Sequence, residues 1–407
     1  MKLWQKEYKL DRAVEAFTVG EDYLLDQRLV KYDCIASIAH AEMLANMGIL
    51  SSKERISIVD ELNHIIRLWE KRKFFIRKSD EDCHTAIENH LTRTLGETGK
   101  KIHTFRSRND QVTTALRLYY KDALLEIKES MLKTKGAFVF FREQHREIGF
   151  PGFNHTRKAM PSTIEMWIGA FIDSMRDNLQ LLDSVFYLID QSPLGSGSGY
   201  GFPQNVDRLF TSERMKFQKI QENPLYVQNS RGKFESAILN LLSFIMMDVN
   251  KMASDLIFFS LPEFNFMELP NEYLTGSSMM PHIKNPDILE ILRANYHRVL
   301  SNEFNIKSLV SQLISGYHRD FQLIKGPIFE GLDITSGSLN ALQLVFKRLK
   351  VNKEACESGL SPELFSTERV YNLVMSGMPF RDAYHSIARE YFPIDSQIKR
   401  YNGGNGN

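Results

Sequence analysis

Cysteine is scarce in this chain. The three cysteines, Cys34, Cys83 and Cys356, are odd in number and far apart, so they offer neither a disulfide framework nor a CxxC or Cys/His metal motif. A reduced chain is the simplest reading. Charge of one sign is lacking too: Lys+Arg number 51 and Asp+Glu 50, so no surplus points to nucleic acid or to an anionic membrane surface. Any anionic ligand therefore has to be met by a local cluster of donors. The opening stretch MKLWQKEYKLDR has no apolar h-region, and a cytoplasmic location is the expectation. Uninterrupted apolar runs are missing as well. The most apolar stretch, 237–259, is broken by Asn240, Asp248, Asn250, Lys251 and Asp255. A membrane span would not tolerate that many polar groups, so a buried helix is expected there. No nucleotide, flavin or metal motif is present, and a reaction needing no cofactor and no metal is expected.

Glycine and proline are absent from long segments. Neither occurs in 233–261 or 287–315, and 106–146 contains only Gly136. At ~1.5 Å per residue, a run near thirty residues makes a helix of about 45 Å, well beyond the usual length. Leu116, Tyr120, Ala123, Leu124, Ile127 and Met131 step by three and four, which lays one apolar stripe on a helix. The segment after Ser236 is apolar around nearly its whole circumference and is expected to be buried on all sides, at the centre of an oligomeric bundle. Glycine and proline gather instead in three polar loops, 151–161, 193–203 and 274–286, the places where binding chemistry usually sits on a helical frame.

Three elements carry candidate chemistry, and each has a plainer explanation. In GSSMMPHIKNPD, Gly276 gives backbone freedom and exposed amides that suit an anion, although such loops are often plain connectors. Arg106-Ser107-Arg108-Asn109-Asp110 precedes a long helix, where guanidinium forks and amides suit a carboxylate. The plainer explanation is an N-cap from Ser107, Asn109 or Asp110. Pro151-Gly152-Phe153-Asn154-His155 places a histidine in a turn; such a residue is more often structural, but it titrates near neutral pH with little tuning.

Taken together and in this order, these segments resemble the argininosuccinate lyase family of the fumarase/aspartase superfamily. The resemblance runs from Lys2-Leu3-Trp4 to Gly377-Met378-Pro379-Phe380-Arg381, and GSSMMPHIKNP is similar to the superfamily signature except at one position. Further matching segments are EDCHTAIE (81–88), PLGSG (193–197) and SGYHRDFQLIK (315–325). The resemblance implies an all-α chain of three helical domains, 1–106, 107–353 and 354–407, the last ending in a disordered 401–407 tail. It also implies a homotetramer with a twenty-helix core, in which each active site draws its three signature loops from three subunits. The reaction implied is reversible elimination of argininosuccinate to arginine and fumarate. Ser277 is then the base, His155 the acid/base partner on the leaving-group side, and Glu290 the carboxylate that orients that histidine. Ser107, Arg108, Asn109 and Asn285 match positions on the fumarate side, and Asn154, able to hydrogen-bond a carboxylate, and Lys284 are further substrate-binding candidates. Tyr317, Gln322, Lys325 and Asp26 match positions for the arginine part, Arg231 is a further anion contact, and His84 belongs to the pocket wall.

The pattern breaks at Ile283, where the family has a lysine expected to meet the substrate carboxylate. Losing a hydrogen bond to a charged group costs about 1.5–3 kcal/mol, or roughly ten- to a hundredfold in rate, unless another cation covers it. Arg157, Lys158 and His282 are the candidates. Asn154, Thr156-Arg157-Lys158 and Phe105 also depart from the family's usual residues, Phe105 standing where a glycine is usual. Ile283 leaves two alternatives open: a non-catalytic paralogue with a structural or binding role, and a lyase for another succinyl-linked amine.

Overall fold

The structure is a computed structural model in which residues 11–391 are described; Lys2-Leu3-Trp4 and the 401–407 tail lie outside the described residues. The elements that position the site are numbered α1 (Val30–Asn46), α2 (Ser52–Glu70), α3 (Cys83–Leu95), α4 (Arg108–His145), α5 (Ile164–Ile189), α6 (Lys233–Phe259), α7 (Asp287–Val310) and α8 (Lys325–Arg348). The three segments poor in proline and glycine are α4, α6 and α7, of 38, 27 and 24 residues. Helix α8 lies in a segment carrying Pro327 and Gly326, Gly331 and Gly337. Pro327 is tolerated because it falls in the first turn, where its missing N–H has no helical partner to lose. Gly331 is there for contact: a Cβ on it would lie 2.3 Å from a methyl of Leu239 on α6. Among the described residues no helix is long and apolar enough to cross a membrane.

Two compact units make up the chain, each assembled from separated segments. Of the described residues, the first contains 11–134, 175–251 and 291–342. Its core includes the α4 stripe, with Leu116, Tyr120, Leu124, Ile127 and Met131 buried, and the buried α6 residues Leu239, Leu242 and Ile245. Burying one Leu or Ile side chain stabilises by roughly 1.5–3 kcal/mol, so this stripe outweighs the modest propensity of so long a helix. Helix α6 is not buried on all sides within the chain. Phe244 and Met247 are 41% and 42% exposed, and Lys233 and Lys251 lie on the same stripe. The chain's own helices leave that face of α6 uncovered.

Of the described residues, the second unit contains 135–174, 252–290 and 343–391. Its core is aromatic, with Phe150, Phe153, Phe259, Phe264 and Phe266 in edge, tilted and stacked contacts. Trp167 packs on Phe259 and donates from its indole N–H to Asp255 (3.0 Å). Two of the three loops turn out to be strand ribbons. Segment 151–161 forms the antiparallel hairpin β1 (Gly149–Asn154) and β2 (Arg157–Thr163), with a bulge between Pro151 and Phe153. Segment 274–286 is closed by the short pair β3 (Thr275–Gly276) and β4 (Lys284–Asn285). Proline in an edge ribbon reads as a loop from sequence, because it cannot donate to a ladder. A small helical layer of the same unit buries Val370, Ala383 and Ile387 against one another.

Candidate active site

In the first unit, helix starts and buried charges build one cavity of about 160 Å³. The cation side comes from the N-terminus of α4. Ser107 caps it: its hydroxyl accepts the Asn109 N–H (3.3 Å), while the Asp110 carboxylate accepts the Ser107 N–H (2.9 Å). The second oxygen of Asp110 accepts the N–H groups of Gly195 (3.0 Å) and Gly197 (2.9 Å), so the 193–203 loop is tied to the same helix start. Burial pushes the Asp110 carboxyl up to about 6 despite those amide donors. Just before the cap, Phe105 sits in the left-handed region (φ 53) with its ring against Phe202. That explains why glycine is at home there; a side chain costs about 1–2 kcal/mol in that conformation.

Capping thus accounts for Ser107 and Asp110 and leaves Arg108 and Asn109 lining the cavity. The Arg108 guanidinium bonds the Asp82 carboxylate and lies 3.5 Å from Glu81. Asp82 is itself the N-cap of α3, accepting from the Thr85 N–H (2.9 Å). Burial raises its carboxyl, but the His84 and Arg108 charges and the amide outweigh burial and hold it at about 2. Behind it, His84 Nδ1 lies 2.5 Å from Asp33, which also accepts from Gln111 (2.8 Å). For both partners of this buried pair their mutual attraction outweighs burial, keeping Asp33 low and His84 high.

Opposite stands Lys325, 3% exposed, donating to Asp26 (2.6 Å) and Asp22 (2.8 Å). Burial disfavours its charge, yet the two carboxylates raise it above the ordinary lysine value. Asp26 is fully buried behind Lys325 and also accepts the Cys83 N–H (3.2 Å), so it acts on the cavity through the lysine. Tyr317 and Gln322 line the wall, Gln322 donating to the carbonyls of Thr18 and Val19. Arg231, 4% exposed, packs its guanidinium over Phe321 (4.8 Å) and Tyr317 (5.7 Å). Its Nε and Nη1 have no partner among the described residues, the state expected of a guanidinium waiting for an anion.

The structure therefore brings together Arg108, Asn109, Arg231, Tyr317, Gln322 and Lys325, with His84 in the wall as expected. Sequence reading missed Asp22, Asp82 and Arg319, which line the same cavity. A signal existed for Asp22, four residues before Asp26 and so on the same helical face. Asp26, Cys83 and His84 lie close enough to share an ion. Their chemistry favours the network already described, because Lys325 occupies Asp26 and burial pushes the Cys83 thiol well up.

Asp22 gives a prediction about stability. Burial, opposed by Lys325 and reinforced by the nearby Asp26 and Asp82 charges, raises its carboxyl to about 6. A folded value above the unfolded one means that ionisation costs stability as pH rises from about 4 through 6. Asp22→Asn is expected to be more stable than wild type near pH 8, by at most about 3 kcal/mol, with the gap closing near pH 4. Urea unfolding at both pH values tests it; a variant less stable near pH 8 contradicts the assignment.

The remaining expected residues belong to the second unit and sit on two segments of its surface. At the hairpin tip Asn154 and His155 are exposed, and the His155 ring has no hydrogen-bond partner among the described residues. Lys158 Nζ donates to the Gly359 carbonyl (2.8 Å), while Arg157 and His282 are exposed near the signature segments. In the 274–286 ribbon, Ser277 Oγ accepts the N–H groups of Met280 (3.0 Å) and Met279 (3.3 Å). Gly276 is paired with Lys284, and its backbone is not in the left-handed region that glycine alone favours. Ile283 is half-buried, Asn285 pairs with Thr275, and Lys284 Nζ donates to Asn271 (2.8 Å). Glu290 is exposed in the first turn of α7.

Residues 5–301 match the family described as Lyase. The chain is 52% identical over 390 residues to the argininosuccinate lyase of Thermotoga neapolitana, covering 96% of this chain and 98% of that protein. It is 35% identical over 411 residues to the argininosuccinate lyase of Parabacteroides distasonis, covering 100% and 92%. Among solved structures it is similar to EDDS lyase in complex with formate (TM-score 0.80, 21% identity, 95% of this chain and 76% of that one). It is also similar to a class II fumarase from Schistosoma mansoni (TM-score 0.79, 15% identity, 95% and 90%). These structural likenesses establish a shared helical fold.

Proposed function

The chain belongs to the argininosuccinate lyase family of the fumarase/aspartase superfamily, and from that premise we propose how its residues divide the work. The protein is a carbon–nitrogen lyase that splits argininosuccinate reversibly into arginine and fumarate. The observation that carries the assignment of roles is the cavity of the first unit. It presents Arg108 and the Arg231 guanidinium, whose Nη2 donates to the Phe321 carbonyl (3.4 Å) while Nε and Nη1 have no partner among the described residues, for carboxylates beside a polar wall of Tyr317, Gln322 and Lys325. Arg108 and Asn109, helped by Ser107, take the succinyl carboxylates. Tyr317, Gln322 and Lys325, held by Asp22 and Asp26, take the arginine part.

Chemistry is supplied by the two surface segments of the second unit. Ser277 removes the proton beside a carboxylate, the electron pair spreads into that carboxylate, the carbon–nitrogen bond breaks, and His155 returns a proton to the departing guanidine nitrogen through water. Donors fixed in advance around the developing charge supply much of the rate. Asn154, Lys284 and Asn285 contribute to the carboxylate side, and Glu290 orients His155. The assembly we propose is a homotetramer whose sites are each shared by three subunits, in a three-domain chain (1–106, 107–353 and 354–407) contributing to a twenty-helix core. The open α6 stripe with Phe244 and Met247 supports it, since large apolar side chains on a long helix call for a covering neighbour. The three buried free cysteines are in keeping with a cytoplasmic enzyme.

The test is fumarate release from argininosuccinate, followed by absorbance, in the purified protein beside Ile283→Lys. Wild type is expected to turn over, and the variant to change kcat by less than about threefold, because neighbouring cations already cover the carboxylate. A silent wild type rescued by lysine would instead favour a non-catalytic paralogue, and silence from both a lyase for another succinyl-linked amine.

A further inference from the structure

The hairpin tip carries backbone strain that its fold does not need. Strands β1 and β2 pair Asn154 with Arg157, leaving a two-residue turn of His155 and Thr156. Both lie in the left-handed region, at φ 51 and φ 57. Two-residue turns of this hand strongly prefer asparagine and glycine. Threonine is among the worst choices, because its branched Cβ crowds the backbone there. Such conformations persist only where the surroundings over-determine them. The strand pair next to the tip does so: Phe153 packs against Phe258 (5.0 Å) and Phe264 (5.7 Å), and its partner Lys158 is fastened to the Gly359 carbonyl (2.8 Å). At the tip itself, the Thr156 hydroxyl donates to the carbonyl oxygen of His155 (2.6 Å).

We propose that Thr156 is a positioning residue for His155. Its hydroxyl pins the peptide between the two residues, and its branched Cβ removes the torsional freedom a glycine would bring. The exposed imidazole is thereby presented in one direction, so the entropy of orienting it is lost on folding and not in the reaction. The inference rests on the catalytic reading of His155 given above.

Steady-state kinetics and thermal unfolding of Thr156→Gly, Thr156→Val and Thr156→Ser, beside His155→Asn, test it. Thr156→Gly is expected to lower kcat about ten- to a hundredfold with KM within about twofold, while its thermal midpoint stays level or rises. Thr156→Val, which keeps the branch and loses the hydroxyl, is expected to lose kcat about tenfold or more, and Thr156→Ser to stay within about threefold of wild type. A stability that falls together with kcat in the glycine variant would mark a merely structural turn and overturn the proposal. So would full turnover in the glycine and valine variants while His155→Asn is impaired. Full turnover in His155→Asn would sink the reading of the histidine itself.

Discussion

Ser277→Ala is expected to lower kcat by about 10²–10⁴-fold while argininosuccinate still binds, with KM moving less than about threefold. A serine hydroxyl is a poor base until its oxygen is made tolerant of negative charge. In this chain the Met279 and Met280 N–H groups donate to Ser277 Oγ, which supplies part of that tolerance from the backbone of the same turn. The contribution matters more here than in a chain with two consecutive lysines, because Ile283 offers neither charge nor donor. Binding should survive, because the cavity proposed to hold the arginine part is built from other residues. Two measurements decide it: fumarate formation by absorbance, and exchange of the substrate proton beside the carboxylate with solvent deuterium. Loss of both places the serine at proton removal. Elimination retained within about tenfold of wild type would mean that another group takes the proton.

The long helices were legible because apolar spacing and the absence of proline and glycine are local properties. Helix α8 was not, since Pro327 in its first turn and Gly331 against Leu239 look like breakers until the packing is known. The candidate residues were legible as motifs, but their mutual arrangement was not. Arg108 and Lys325 lie more than two hundred residues apart in the chain, and only the fold brings them to one cavity. Depth was not legible in the sequence either: Asp26, expected on the arginine side, stands buried behind Lys325, while Asp22, one turn earlier, faces the cavity. Nothing in spacing alone distinguishes two aspartates on the same face. The departure at Phe105 became intelligible only as a dihedral, a left-handed residue where glycine would be free of strain.

Lys325→Met is expected to cost about 3–5 kcal/mol of stability near pH 8 and, separately, to raise KM sharply. Methionine keeps the length and apolar stem of the side chain, so the loss is that of one buried ammonium. Its removal leaves Asp26, wholly buried, and Asp22, largely buried, facing each other and Asp82 without the cation that bonds both. The sign with pH follows from which groups titrate. In wild type Lys325 is raised above its ordinary value, so its contribution is present throughout the neutral range and is lost only in strong alkali. In the variant the carboxylates carry the dependence: they take up protons more readily than before, so the deficit is largest above about pH 7 and shrinks below about pH 5. Adding Asp22→Asn and Asp26→Asn to Lys325→Met should recover most of the stability, since an uncharged triad of similar shape is cheap to bury. It should not recover substrate affinity, because the cavity would still lack the charged donor. Urea unfolding across pH and KM for argininosuccinate in both proteins separate the two roles. Affinity returning together with stability would show that Lys325 shapes the cavity without touching the substrate.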